Sequence, residues 1–273
     1  MNKTCKFCNK YFIAEGKNSW KKLFCNVICQ QEFWSIQRNK TGIKNKPSRD
    51  LANRYKSNIL TDKQIQICLG GMMGDSSINI RPNGRCRLLM NHCEAQNKYL
   101  DWKKDILYPF IIQAKANICL NKDRVINGVE INSTPSYHYA SIQHQYFTDL
   151  FGLFYTTYLG EKRKRVNMNI LNMLQPLAIL IWFLDDGCYY SQPKHSSHTM
   201  YLSTYRYTLG EHQTMKKWFW HKWRIEMTIT PTNQNTKFIL RMNKENMIKF
   251  NNLFLFQFKD DVPECMHYKF PNF

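Results

Sequence analysis

Cys68-Leu69-Gly70-Gly71-Met72-Met73-Gly74-Asp75-Ser76 and Ile179-Leu180-Ile181-Trp182-Phe183-Leu184-Asp185-Asp186-Gly187 decide how this chain folds. Each reads as an apolar helix that ends on an aspartate. The C-terminal end of a helix is partly negative, so a carboxylate there is opposed by roughly 0.3–1 kcal/mol. Two such ends brought to about 5 Å repel by a further ~3 kcal/mol at an effective dielectric near 20. A sequence that does this twice is expected to hold a cation between the two ends. Gly70-x-x-x-Gly74, with Gly71 beside it, leaves one face of the first helix almost bare, which lets a second helix approach closely. Asp75 and Asp186 would then meet at a sheet edge, and hard oxygen ligands at such a point suit magnesium.

The rest of the chain agrees with an anionic partner. Over 273 residues, 39 Lys and Arg stand against 20 Asp and Glu, a net charge of +19, with 43% hydrophobic and 14% aromatic residues. That composition excludes a disordered basic tail and points to a folded protein for a polyanion. Met1-Asn2-Lys3-Thr4-Cys5 shows no secretory pattern, and no apolar run approaches the ~18 residues of a membrane span. Ten cysteines in such a chain read as metal ligands or free thiols rather than disulfides. The wealth of Asn, Ile, Lys, Phe and Tyr fits an AT-rich genome, hence an intracellular protein of a mitochondrion, plastid, phage or bacterium.

Four segments are expected. Residues 1–34 form a compact cysteine-bearing module, 35–58 a basic linker, 59–165 a first repeat and 166–273 a second. Of the +19, +10 (13 basic minus 3 acidic side chains) lies in residues 1–58. Thr61-x-x-Gln64 and Thr208-x-x-Glu211 are capping boxes that open helices. Pro82-Asn83-Gly84 turns a hairpin, and Pro176 sits well in a first helical turn. Helix, two strands, helix, two strands, helix then occurs twice.

With these residues in place, Ile59 to Phe273 resembles the LAGLIDADG homing endonucleases in their monomeric two-motif form, especially the intron-encoded mitochondrial type. Leu69–Ser77 carries the first motif. Pro176 with Trp182-Phe183-Leu184-Asp185-Asp186-Gly187 is similar to that group's second motif, and Met266–Asn272 resembles its C-terminal segment. The resemblance implies an α+β fold. Two pseudo-symmetric αββαββα repeats with saddle-shaped antiparallel sheets would follow the small zinc-binding module.

It implies that Asp75 and Asp186 hold magnesium, one for each DNA strand, with backbone at Gly74 and Asp185 completing the coordination. It also implies catalytic lysines at Lys269 and, before the second motif, at Lys164, with Arg163 the choice of an ungapped alignment. Three residues depart from the family pattern: Ser76 for glycine, Leu180 for a small residue, and Gln175 for a threonine cap. The glycines opposite are expected to absorb the bulk of Leu180.

Strand alternation assigns Ile78, Ile80, Leu88 and Met90 to the core and Asn79, Arg81, Arg85 and Arg87 to a DNA-reading face. Tyr201, Ser203, Lys237 and Arg241 form its counterpart in the second repeat. Arg38, Lys40, Lys44 and Lys46 are expected to meet phosphates. Cys5-x-x-Cys8 and Cys25-x-x-x-Cys29 supply the four thiolates of a closed structural zinc site. Cys25-x-x-x-Cys29 also resembles the second knuckle of a treble-clef finger. The expected activity is magnesium-dependent, site-specific hydrolysis of both strands of duplex DNA by a monomer, leaving short 3′ overhangs. An RNA maturase that assists intron splicing and a non-cleaving zinc-finger regulator are the alternatives.

Overall fold

Both capping boxes form. Thr61 accepts from the Gln64 amide while Gln64 reaches back to the Thr61 N–H, opening α1 at Asp62–Met73. Thr208 and Glu211 do the same for α6, Leu209–Trp223. The structure, a computed structural model, describes residues 2–14, 23–26, 28–30, 33, 50, 52–119, 124–126, 129–131, 135–158, 160–192, 197–232 and 236–271. Arg38, Lys40, Lys44 and Lys46 lie outside the described residues. Among the described residues no helix is long and apolar enough to cross a membrane.

The chain divides into Met1–Arg54 and Tyr55–Phe273. In the first unit, β1 (Asn2–Thr4) and β2 (Tyr11–Ile13) pair antiparallel. Asn9 lies between them with φ 58, a left-handed turn that asparagine tolerates. Residues 28–30 are helical, and the Asn26 side chain accepts from the Cys29 N–H at 2.8 Å.

The second unit holds two α+β repeats. In the first, α1 is followed by β3 (Ser77–Ile80), β4 (Cys86–Cys93) and α2 (Asn97–Ile106). Next come β5 (Asn117–Cys119), the hairpin β6 (Arg124–Ile126) and β7 (Val129–Ile131), β8 (Ser136–Ala140) and α3 (Gln145–Phe154). The hairpin β9 (Tyr155–Tyr158) and β10 (Glu161–Lys164), then α4 (Met168–Met173), lead to the second repeat.

That repeat runs α5 (Pro176–Asp186), β11 (Gly187–Gln192), β12 (Ser197–Leu202), α6, β13 (Thr228–Thr232), β14 (Lys237–Met242) and α7 (Lys244–Phe250). The sheets are ordered β3-β4-β8-β5 and β11-β12-β14-β13. Counted within its own repeat, each reads first, second, fourth, third. The repeat recognised from element order is therefore also a repeat of topology, with β6–β7 inserted in one copy.

α1 and α5 pack closely along each other. A Cβ added at Gly70 would overlap the Ala178 carbonyl oxygen and lie 2.7 Å from the Ile181 Cβ. The small residue opposite the glycines is therefore Ala178, and Leu180, fully buried, is not what they accommodate. Gly71 instead makes room for Ser76, whose Oγ a Cβ there would overlap.

Gln175 caps α5 without a side-chain bond. Gln66 on the facing helix accepts from the Gln175 N–H through Oε1 at 2.9 Å, tying the start of α5 to α1. Ile78, Leu88 and Met90 are buried as expected, but Ile80 is 44% exposed. It is the last residue of β3, next to the exposed hairpin loop.

Candidate functional site

The two motif helices end side by side, although not in the same way. α1 stops at Met73 and Gly74 caps it, so Asp75 lies just past the helix; Asp186 is the last helical residue of α5. Gly74 has to be glycine because the Asp185 side chain lies against it: an added Cβ would overlap the Asp185 Cβ and sit 2.9 Å from Oδ2.

The Asp185 carboxylate points inward and is wholly committed. Its Oδ1 accepts from Lys103 Nζ at 3.0 Å and from the Tyr99 hydroxyl at 2.9 Å, while Oδ2 accepts from the Asp75 N–H at 3.2 Å. Burial alone would raise its pKa, but Lys103 and the Tyr99 hydroxyl hold it below the ordinary value. Lys103 also donates to His92 Nε2 at 2.7 Å. His92 is therefore neutral, with Nδ1–H facing Gln96 Oε1 at 3.0 Å. Burial and the Lys103 charge lower its pKa to about 4. Asp75, His92 and Asp185 do converge, but the Lys103 ammonium already serves Asp185 and His92.

Each motif helix receives a lysine at its negative end. Lys164 Nζ donates to the carbonyls of Met72 (2.9 Å), Gly74 (2.9 Å) and Ser76 (2.5 Å). Lys269 Nζ donates to those of Leu184 (2.5 Å) and Asp185 (3.3 Å). Both lysines are buried, and burial lowers the pKa of each, Lys164 to about 7. They satisfy carbonyls that the helix leaves unpaired and counter the dipole that opposes the aspartates. Arg163, the alternative to Lys164, pairs with Glu211 at 2.9 Å instead.

Neither Asp75 nor Asp186 has a cation within hydrogen-bond distance of its carboxylate, and Arg206 Nη2 stands 3.7 Å from Asp186 Oδ2. Burial, then the Asp185 charge, pushes Asp75 up to about 6. Burial pushes Asp186 up to about 7, partly offset by Arg206. Asp186 Oδ2 is buried with no hydrogen-bond partner. The Asp75 and Asp186 carboxylates and the Gly74 and Asp185 carbonyls are oxygen donors of the kind magnesium takes, with the Gly74 carbonyl already accepting from Lys164 and Arg206 and the Asp185 carbonyl from Lys269.

A scan of family models matches residues 65–250 to the LAGLIDADG DNA endonuclease family. The chain belongs to that family. Its fold is that of the homing endonuclease I-WcaI bound to its DNA recognition sequence, which is 17% identical with a TM-score of 0.66 over 83% of this chain and 92% of that one. Protein RecA of Mycolicibacterium chitae is 34% identical over 133 residues, 47% of this chain but 26% of that protein. Cytochrome b mRNA maturase bI2 of Saccharomyces cerevisiae is 24% identical over 191 residues, 67% of this chain and 42% of the maturase. The chain thus spans only part of the length of these curated relatives.

In this LAGLIDADG protein the expected reading face is partly rearranged. Asn79 and Arg87 lie opposite each other in the β3–β4 register, and Arg87 Nε donates to Asn79 Oδ1 at 3.2 Å. Arg81 and Arg85 are exposed but sit in the hairpin loop, where the Arg81 N–H meets the Arg85 carbonyl at 2.9 Å, rather than on the strands. Tyr201 and Arg241 are cross-strand partners, and Lys237 is exposed two residues before the buried Ile239. Ser203 lies beyond β12, its N–H donating to the Asp186 carbonyl at 2.8 Å.

Sequence reasoning missed His92, Tyr99, Lys103 and Arg206. Nothing local separates Lys103 from its neighbours Lys98 and Lys104. Arg206 carried a usable signal, since it stands two residues before a capping box that follows a strand leading from the motif.

In the first unit, Cys5, Cys8, Cys25 and Cys29 bring their sulfurs within 4.8 Å of one another. Burial, then hydrogen bonding to the Cys25 sulfur, pushes the Cys29 thiol up to about 12. Four sulfurs this close are an all-sulfur set of the kind that suits zinc.

Proposed function

We propose that this protein is a site-specific endonuclease that uses magnesium to hydrolyse both strands of duplex DNA. The observation that carries this is the paired arrangement: two aspartates at adjoining helix ends, each end seated on a buried lysine. Asp75 with the Asp185 carbonyl, and Asp186 with the Gly74 carbonyl, would each hold a cation. Bound magnesium supplies Lewis-acid charge to a scissile phosphate.

The chain does the positioning. Lys164 and Lys269 fix the two carbonyls and add positive charge beneath the phosphates. Lys103 and Tyr99 keep the Asp185 carboxylate turned inward, so that its carbonyl faces the site. Asn79, Arg87, Tyr201, Lys237 and Arg241 read base edges and phosphates, with Arg81 and Arg85 reaching from the loop. By the pattern of the family, the cuts leave short 3′ overhangs. Structural zinc on the four cysteines holds the first unit, which with the basic stretch 35–58 adds phosphate contacts.

Cleavage selection on a randomised duplex library with magnesium tests the reading. The intact protein should cut one long site. Asp75→Asn or Asp186→Asn should lower the rate at least about a hundredfold while DNA affinity stays within a few-fold. Normal double-strand cutting by either variant would refute it. The likeness to a maturase favours a second reading, assistance of intron splicing, and tight intron-RNA binding with no cleaved DNA site would favour it over the first.

A further inference from the structure

One cation in the site belongs to neither the aspartate nor the lysine pair. Arg206 stands in the turn between β12 and α6. Its Nη1 donates to the Gly74 carbonyl at 3.2 Å. Its Nη2 lies 3.7 Å from Asp186 Oδ2, close enough for an ion pair but not for a good hydrogen bond. The guanidinium therefore bridges the two oxygens that would hold one of the metals.

The other half is built differently. Asp75 has the neutral His92 at 3.8 Å, and the corresponding turn between β4 and α2 carries Glu94-Ala95-Gln96, with no cation. The Asp75 side chain is 39% exposed, whereas that of Asp186 is 13% exposed. A divalent cation can reach Asp75 from solvent, but at Asp186 it must share two oxygens with a guanidinium. Like charges so close exclude each other.

We propose that Arg206 is a resident counter-cation of the Asp186–Gly74 half-site. It occupies that half until a scissile phosphate draws the guanidinium away. This rests on the endonuclease reading above and adds a consequence: the halves take up metal unequally, the Asp75 half first. The arm is built for release, since its side chain is 38% exposed and its Asp186 contact is long. An arginine is suited to the exchange because its fork meets phosphate oxygens bidentately.

The test is a Mn²⁺ titration of the full, DNA-free protein followed by electron paramagnetic resonance. Arg206→Gln should bind an additional Mn²⁺, or bind its weaker one at least about tenfold more tightly than the intact protein does. Adding Asp186→Asn should remove that gain. Arg206→Lys, which keeps the charge, should stay within about threefold of the intact protein. Arg206→Met gives a second neutral variant should the glutamine form fail to fold. Identical Mn²⁺ binding by intact protein and neutral variants, including none by either, would overturn the proposal, as would a lysine variant that behaves like glutamine. The titration involves no DNA, so a library that yields no cut site would defeat the endonuclease reading and leave this result standing. Equal Mn²⁺ binding alongside normal cleavage would defeat only the role of Arg206.

Discussion

Lys103 and Asp185 are both inaccessible to solvent and sit 3.0 Å apart, with Tyr99 and His92 satisfying their remaining valences. Removing one member of a buried pair leaves an uncompensated charge, at a cost of about 3–5 kcal/mol. Lys103→Met should lose that much stability in urea unfolding, and Asp185→Asn in the same protein should restore part of it. No rescue by the second change would mean the loss is one of packing.

The site aspartates make the opposite kind of contribution. Their pKa values are raised from 3.8 to about 6 and about 7. The stability they lend is therefore full below about pH 4 and is lost as pH rises through 6 to 7. In magnesium-free buffer Asp186→Asn should gain stability relative to the intact protein between pH 5 and pH 8, a comparison in which the opposite contributions of His92 and Lys164, whose pKa values are lowered, are common to both proteins. Asp186→Asn should recover roughly 2–4 kcal/mol at pH 8, at about 1.4 kcal/mol per pKa unit. Melting curves for the two proteins that stay parallel across this range would contradict the assignment. Magnesium affinity should rise over the same window, because the cation competes with the same protons.

At the scale of elements, the α1–α5 contact depends on an absent side chain. Gly70→Ala drives a methyl into the Ala178 backbone, where no rotamer change can relieve it, and should cost about 1–3 kcal/mol or more. Gly152, in the interior of α3, has open space around its Cβ position. Gly152→Ala should stabilise by about 0.5–1 kcal/mol, since alanine is the better helix former. Thermal denaturation of the pair separates glycine needed for close approach from glycine that is merely tolerated. The capping boxes at Thr61 and Thr208 were legible because each is complete within four residues. Ile80 departs from the expected pattern because alternation fixes which side a residue faces, but not how far along the strand that side is covered.

For the whole molecule, the division at Arg54 separates two sources of stability. Among its described residues the first unit buries little apart from Cys5 and Ala14; under the zinc proposal the metal would supply the folding free energy, about 10–16 kcal/mol in small zinc modules. Native mass spectrometry should find one zinc per chain. A strong chelator should expose residues 1–54 to proteolysis while the main melting transition of 55–273 stays in place. Zinc-free protein with an intact, protease-resistant first unit would rule out the site. Double-motif topology, by contrast, depends on the 1-2-4-3 strand order common to both sheets, and no metal is needed to explain it.

The sequence by itself determined what is local: the two apolar helices with an aspartate at or just past each end, the capping boxes at Thr61 and Thr208, the doubled order of elements and the two close pairs of cysteines. Hydrogen bonds and apolar periodicity within a few residues are enough to specify these. Only the tertiary structure decided which cation meets which oxygen. Lys164 rather than Arg163 lies under Gly74, Lys103 turns the Asp185 carboxylate inward, and Arg206 bridges to Gly74 from 132 residues away. Those pairings join groups that become neighbours only when the two repeats pack. Their energies come from burial and charge in that interface, which no single stretch of chain contains.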